Sequence, residues 1–235
     1  GERFSLRGDF TQPFSLLGGD HWRSWGGTFY SEFARIDLQR LRQHVNVGEA
    51  PALQIHQGQG ALRMWADLQR GQVNGLTLDT ALEQVRLQLD PKLPVLDVPA
   101  LGGRVQARWL PQRWEVQADN LQLRTPEGGT WAAGRLALAH NLPRRGVEAD
   151  SELSVERIEL DAVREIAHHL PLPAPLRAEL QAARPQGQIK DLRLQWGGTP
   201  WASEQIPTRW RAQGQVQDLS VAAGPTPAAE GALGR

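Results

Sequence analysis

The chain is 235 residues long and 40% apolar, and its 26 basic residues balance 26 acidic ones. That length holds one large β domain or two smaller ones, and zero net charge supplies no global field to recruit nucleic acid or an anionic membrane. The chain has no cysteine, which excludes thiol catalysis and thiolate metal sites and suits an oxidising compartment.

Phe4-Ser5-Leu6 and the aromatic-rich stretch from Trp22 to Phe33 read as strands. Asp37 then stands as an N-cap before Leu38 and Leu41, predicting a short helix over 37–45. Strands are expected next at 53–57, 59–69, 72–79, 82–90, 103–110, 113–119, 121–125 and 130–139, separated by Gly, Pro and Asn-Gly. Several alternate strictly: Val85, Leu87 and Leu89 against Arg86, Gln88 and Asp90; Val105, Ala107 and Trp109 against Gln106 and Arg108; Leu121 and Leu123 against Gln122 and Arg124. Period two with one polar face predicts an antiparallel meander, since buried parallel strands are apolar on both faces.

The pattern restarts at 153–160. Arg157-Ile158-Glu159-Leu160 repeats the order of Arg35-Ile36-Asp37-Leu38, and a helix over 161–170 follows. Pro171, Pro173 and Pro175 break the chain before a helix over 175–183, and strands return at 187–196 and 208–221. We therefore expect a first section over 1–150, a second over 151–223 and a loose Ala/Gly/Pro-rich tail over 224–235. Three segments share one design: Gly71-Gln72-Val73-Asn74-Gly75-Leu76, Gly187-Gln188-Ile189-Lys190-Asp191-Leu192 and Gly214-Gln215-Val216-Gln217-Asp218-Leu219. A sheet built by repetition works through a long surface rather than a compact pocket.

The search for catalytic chemistry finds little. There is no Gly-x-Ser-x-Gly elbow, phosphate loop or dinucleotide fingerprint. Glu165-Ile166-Ala167-His168 has Glu-x-x-His spacing, but a di-iron site needs two such motifs and two further Glu. Adjacent His168 and His169 point about 100° apart on a helix, so no metal, cofactor or enzymatic activity is expected there. The nine tryptophans are spread along the whole chain and read as packing of a sheet and its rim. No apolar run reaches the roughly 20 residues of a membrane span. The start at Gly1 reads as a piece of something longer.

The order of a strand, an Ile-Asp-Leu-x-x-Leu helix, Gly60-Ala61-Leu62-Arg63-Met64-Trp65 and a meander resembles the AsmA-like envelope proteins of Gram-negative bacteria, and among them the YhdP-like group. Pro185-Gln186-Gly187-Gln188-Ile189-Lys190-Asp191-Leu192-Arg193-Leu194-Gln195-Trp196 carries the same resemblance, which runs over about 20–220. It implies a mainly β fold, a long curved antiparallel sheet forming a repeating β-groove, with two or three short helices. It also implies a periplasmic chain, anchored to the inner membrane by an N-terminal helix missing here, whose groove carries phospholipid toward the outer membrane. The partners would then be phospholipid acyl chains and neighbouring sections of the same chain, with no nucleic acid.

Candidate groove residues are Val85, Leu87, Leu89, Val105, Trp109, Leu121, Leu123, Leu192, Leu194 and Trp196. Short helices cannot cover so many strands, which leaves an open groove or a sheet-on-sheet sandwich. A carbohydrate-binding sandwich module or a purely structural envelope section are the competing functional readings.

Overall fold

The computed structural model describes residues 4–11, 25–42, 54–198 and 209–221. Ten strands form one antiparallel sheet: β1 (Phe4–Thr11), β2 (Gly26–Asp37), β3 (Gln54–Gln69), β4 (Gln72–Gln88), β5 (Leu96–Leu110), β6 (Arg113–Arg124), β7 (Thr130–Asn141), β8 (Asp150–Glu159), β9 (Gln186–Gly197) and β10 (Trp210–Ser220). Spatial order equals chain order, so every strand pairs with its sequence neighbours. β1 and β10 are the two edges, and the sheet does not close on itself. All described strands belong to this sheet, so no second sheet lies over it among the described residues. The sheet continues through the pairing of β7 with β8, across residues 141–150. The expected tail over 224–235 lies outside the described residues.

Several expected strands prove to be halves of longer ones. The pairs 53–57/59–69, 72–79/82–90 and 113–119/121–125 are the single strands β3, β4 and β6, apart from Leu53, which lies outside the described residues. Two of the apparent separators lie at bulges, Gly58 at register shifts of β3 against β4 and Asn120 within β6, while other bulges fall inside expected strands. Gln84, Asn120, Asp191 and Asp218 have φ of 51–52°, the left-handed region, inside strands β4, β6, β9 and β10. A bulge inserts a residue and increases the local twist without ending the strand. The Pro-rich stretch before residue 103, expected as a connection, contains the first half of β5 from Leu96. Pro99 fits there because its neighbours in pairing, Val98 and Ala100, face Val85 and Glu83 on either side of the bulged Gln84.

The bulges explain the repeated Gly motif. A Cβ on Gly187 would lie 2.6 Å from the Asp218 carbonyl oxygen, and one on Gly214 would lie 3.3 Å from the Lys190 carbonyl oxygen, beside Asp191. In β9 and β10 the motifs are reciprocal: the glycine of each strand makes room for the bulge of the other. Gly103 does the same for Asn120, with carbonyl oxygens at 3.1 Å. Gly71 serves differently, forming with Arg70 the two-residue turn between β3 and β4, both at positive φ (69° and 53°).

Three helices interrupt the meander: α1 (Leu38–Arg42), α2 (Leu160–Ile166), which runs into a 3₁₀ turn over Ala167–His169, and α3 (Ala174–Ala183). Asp37 caps α1, its Oδ1 accepting the Gln39 backbone N–H at 2.9 Å. The last residues of the helix expected over 37–45 lie outside the described residues. α2 begins at Leu160, directly from β8, and buries Leu160, Ala162 and Ile166. α3 buries nothing and ends at Arg184 in the left-handed conformation before Pro185.

Directly opposed residues in an antiparallel pair share a face, so the register assigns both sides of the sheet. One side carries Leu62, Leu82, Leu101, Leu123, Val155 and Leu192; the other carries Arg63, Asp79, Arg104, Asp119 and Arg135. The core lies on the apolar side at one end. Ile36, Leu38, Leu62, Leu82, Val85, Leu96, Val98, Leu123 and Ile166 pack together there, roofed by α1 and α2.

Candidate functional site

The apolar face is the candidate site, and its rows can be followed strand by strand. One row runs through Leu78, Val105, Ala118, Leu136, Val155 and Leu192 in direct opposition. The next runs through Leu76, Ala107, Val116, Leu138, Leu153 and Leu194. Most of these side chains are half-buried rather than buried. Alternation drives them to one face; in the first row Ala118 and Val155 are buried and Leu78 packs against the core, whereas every residue of the second row stays half-open. The helices roof only the rows nearer Val85 and Val98, each 1% exposed.

Nine of the ten sequence-predicted residues share this face, but they divide into two environments. Val105, Trp109, Leu121, Leu192, Leu194 and Trp196 stand on its half-open part. Val85 and Leu123 are core, at 1% and 9% exposure, and Leu87 packs against that core under the helices. Leu89 is not on a strand: β4 ends at Gln88 and Leu89 lies in the bend toward β5. Two polar hooks turn the chain at that point, the Gln88 amide reaching the Pro91 and Leu93 carbonyls at 3.2 and 2.7 Å. Alternation counted through Leu89 overlooked them.

The opposite face carries an arrangement that sequence reasoning missed. Glu32, Arg63, Asp79, Arg104, Asp119 and Arg135 stand on six successive strands, β2 to β7, with alternating sign. Arg63 meets Glu32 at 2.9 Å, Arg104 grips Asp79 through two bonds at 2.5 and 2.8 Å, and Arg135 meets Asp119 at 3.0 Å. Glu156 extends the row into β8 by accepting the Arg135 backbone N–H at 3.1 Å. Tyr30 donates to Glu32 at 2.9 Å, and this bond, with Arg63, holds the Glu32 carboxyl below its usual range. The Arg104 guanidinium does the same for Asp79 and also lies 5.9 Å from the Trp65 ring centroid. Each charge sits at a plain polar position of its own strand; the ladder exists only once the register is known.

This ladder lines a depression of about 1060 Å³, and a second of about 780 Å³ continues it past Arg135 to Arg193 and Gln213. A twisted sheet is a saddle, concave along one diagonal of each face. The two hollows mark the diagonal of the charged face. Being lined by mutually neutralised pairs, they offer no field of one sign.

The histidines do not assemble a centre. His168 is exposed at the end of the 3₁₀ turn, whereas His169 Nδ1 lies 3.3 Å from the Pro94 carbonyl. His140 is buried at 4% exposure, with Nδ1 2.9 Å from Ser151 Oγ, which donates to the Gly198 carbonyl at 2.8 Å. Among the described residues, no three His, Asp or Glu side chains converge as metal ligands. No helix among them is long and apolar enough to cross a membrane.

A single meandering sheet with one apolar face, helices after Ile36-Asp37 and Ile158-Glu159, and recurrent Gly-bulge pairs constitutes the fold. Comparison with curated proteins and with solved structures gives no match. The family model described as YhdP protein matches residues 1–232, nearly the whole chain. The chain therefore belongs to the YhdP family of envelope proteins.

Proposed function

We propose that this sheet is a section of a periplasmic bridge whose apolar face carries phospholipid between the inner and outer membranes. The observation that supports it is the half-exposed apolar surface running unbroken from β4 to β9, covered by helices only at one end. Exposed apolar area on this scale calls for an occupant, and an acyl chain gains about 0.8 kcal/mol for each methylene it buries there. Side-by-side rows of Leu, Val and Ala bind by area rather than by pattern, so chains can slide. In this reading the sheet is a conduit with no reaction to catalyse. Its chemical partners are acyl chains, and its structural partners are further sections of the same protein and the inner membrane. Family membership supports an envelope protein, and the single open sheet supports a groove over a sandwich module.

Native mass spectrometry of the purified chain is the test. We expect bound phospholipid, lost in Val105→Asp and Leu194→Asp and retained in Gln195→Asp on the charged face. A lipid-free chain, or equal loss from both faces, removes the reading.

A further inference from the structure

The apolar face has two different rims. At one, the helices α1 and α2 lie over Leu62, Val85 and Val98. At the other, a row of aromatic and polar side chains crosses six strands in direct register. Trp109 in β5 opposes Trp114 in β6, which opposes His140 in β7, then Ser151 in β8, Trp196 in β9 and Trp210 in β10. Trp25 and Phe10, 6.1 Å apart, extend the same rim at the first two strands. Five of the seven described tryptophans stand here. Trp109 and Trp210 are 43% and 62% exposed, unusual for indoles on a face otherwise built of Leu, Val and Ala.

Indole rings concentrate where an apolar phase meets a wet one, because one edge of the ring is apolar and the other donates a hydrogen bond. The turns just beyond this rim add charge. Arg70 lies in the β3–β4 turn, and Arg144 and Arg145 form the exposed tip of the β7–β8 loop, between exposed Leu142 and Val147. Arg209 is paired with Glu148, which leaves Arg70, Arg144 and Arg145 as excess positive charge among the described turns of this rim. The described connections of the other rim carry Asp90, Lys92 and Glu127, Arg40 paired with Asp37, and Arg164, Arg177 and Arg184 against Asp161, Glu165 and Glu179, with no such excess.

We infer that a phospholipid lies on this sheet with fixed polarity: its phosphate-bearing head over the tryptophan rim beside Arg144 and Arg145, its acyl chains running across the face toward the helix-roofed rim. This rests on the lipid-carrying reading above and adds the direction in which the lipid lies. The aromatic row marks the depth of the glycerol and ester groups, as it does at a bilayer interface. The arginines meet the phosphate, and Ile166, with Leu38, closes the far end against the chain termini.

Two photoreactive phosphatidylglycerols test it on the unaltered protein, one carrying a diazirine on the headgroup and the other at the end of an acyl chain. After illumination, the labelled peptides are mapped by mass spectrometry. The headgroup probe should label peptides containing Trp109–Trp114, Leu142–Val147 and Trp210. The chain-end probe should label those containing Leu78, Leu101 and Leu170, half-buried side chains that border the roofed core. Arg144→Ser with Arg145→Ser, both at exposed positions, should cut headgroup labelling by about fivefold per arginine while leaving diacylglycerol binding unchanged. Reversed labelling, or both probes marking both rims equally, overturns the polarity while leaving the conduit intact. No labelling by either probe, with no lipid seen by native mass spectrometry, overturns both.

Discussion

The two ends of the apolar face share one strand pattern and differ in what lies over them. At the roofed end, Val85, Val98 and Ile166 are each 1% exposed and form a core like that of any small domain. Toward the other rim, Val105, Leu138 and Leu194 sit on the same face, in strands of the same design, and remain half-open. Alternation therefore fixes which side of a sheet is apolar, while coverage decides whether that side is a core or a surface. Coverage here comes from two short helices, each launched directly from a strand end, after Ile36-Asp37 and Ile158-Glu159.

The sharpest way to break this contrast is to place the same charge at both ends. Val85→Asp puts a carboxylate in a sealed apolar site with no partner, at a cost of several kcal/mol, and the cooperative thermal transition should disappear. Leu194→Asp should melt within a few degrees of the parent, because its side chain can reach water. Equal loss of stability at both sites would mean that the open end is also a packed core. Next in size, Ile166→Ala removes the side chain that joins α2 to the roofed cluster and should cost about 2–4 kcal/mol in a denaturant titration. Val105→Ala should cost well under half of that.

A smaller effect is expected from the bulges. Gly103→Ala places a Cβ 3.1 Å from two carbonyl oxygens at φ +142°, and should cost about 1–3 kcal/mol with the sheet retained by circular dichroism. Gly102→Ala, one residue earlier and with its nearest neighbour at 3.7 Å, should cost little. Smallest is the pH response of the charged face. Asp79 and Glu32 are held below their ordinary ranges when folded, so their contribution is fully present above the unfolded values near pH 4 and is lost as pH falls through the folded values. The melting temperature should stay flat from pH 7 to about 5 and decline below about 4. Asp79→Asn should flatten that decline, and an unchanged slope would show that the ladder contributes nothing to holding the strands.

Much of the fold is legible in the residues themselves. The antiparallel meander, the single apolar face and all three helices follow from period-two runs, the Asp37 cap and the prolines at 171, 173 and 175. Glycine and asparagine were harder to interpret. Near Gly58 and Asn120 the chain looks punctuated, yet a left-handed residue opposite a neighbour that yields space continues the strand instead of ending it. The site was legible as a face but not as two regions. Nothing in Val85 or Leu123 distinguishes them from Val105 or Leu194 until α2 is placed over them. The tryptophan row was hidden for another reason. Trp109, Trp114, Trp196 and Trp210 are scattered along the chain and become neighbours only through register.

The reciprocal fit of Gly187 with the Asp218 bulge and of Gly214 with the Asp191 bulge has a bearing on how such a sheet grows. Each strand carries both halves of a key and lock, a notch for its neighbour's bulge and a bulge for its neighbour's notch. The instruction for joining and twisting is thus written entirely within one strand of about a dozen residues. Copying the hairpin of β9 and β10 copies the joint between its two strands with it. Length becomes a quantity that evolution can dial, as a carpenter extends a fence with identical tongue-and-groove boards.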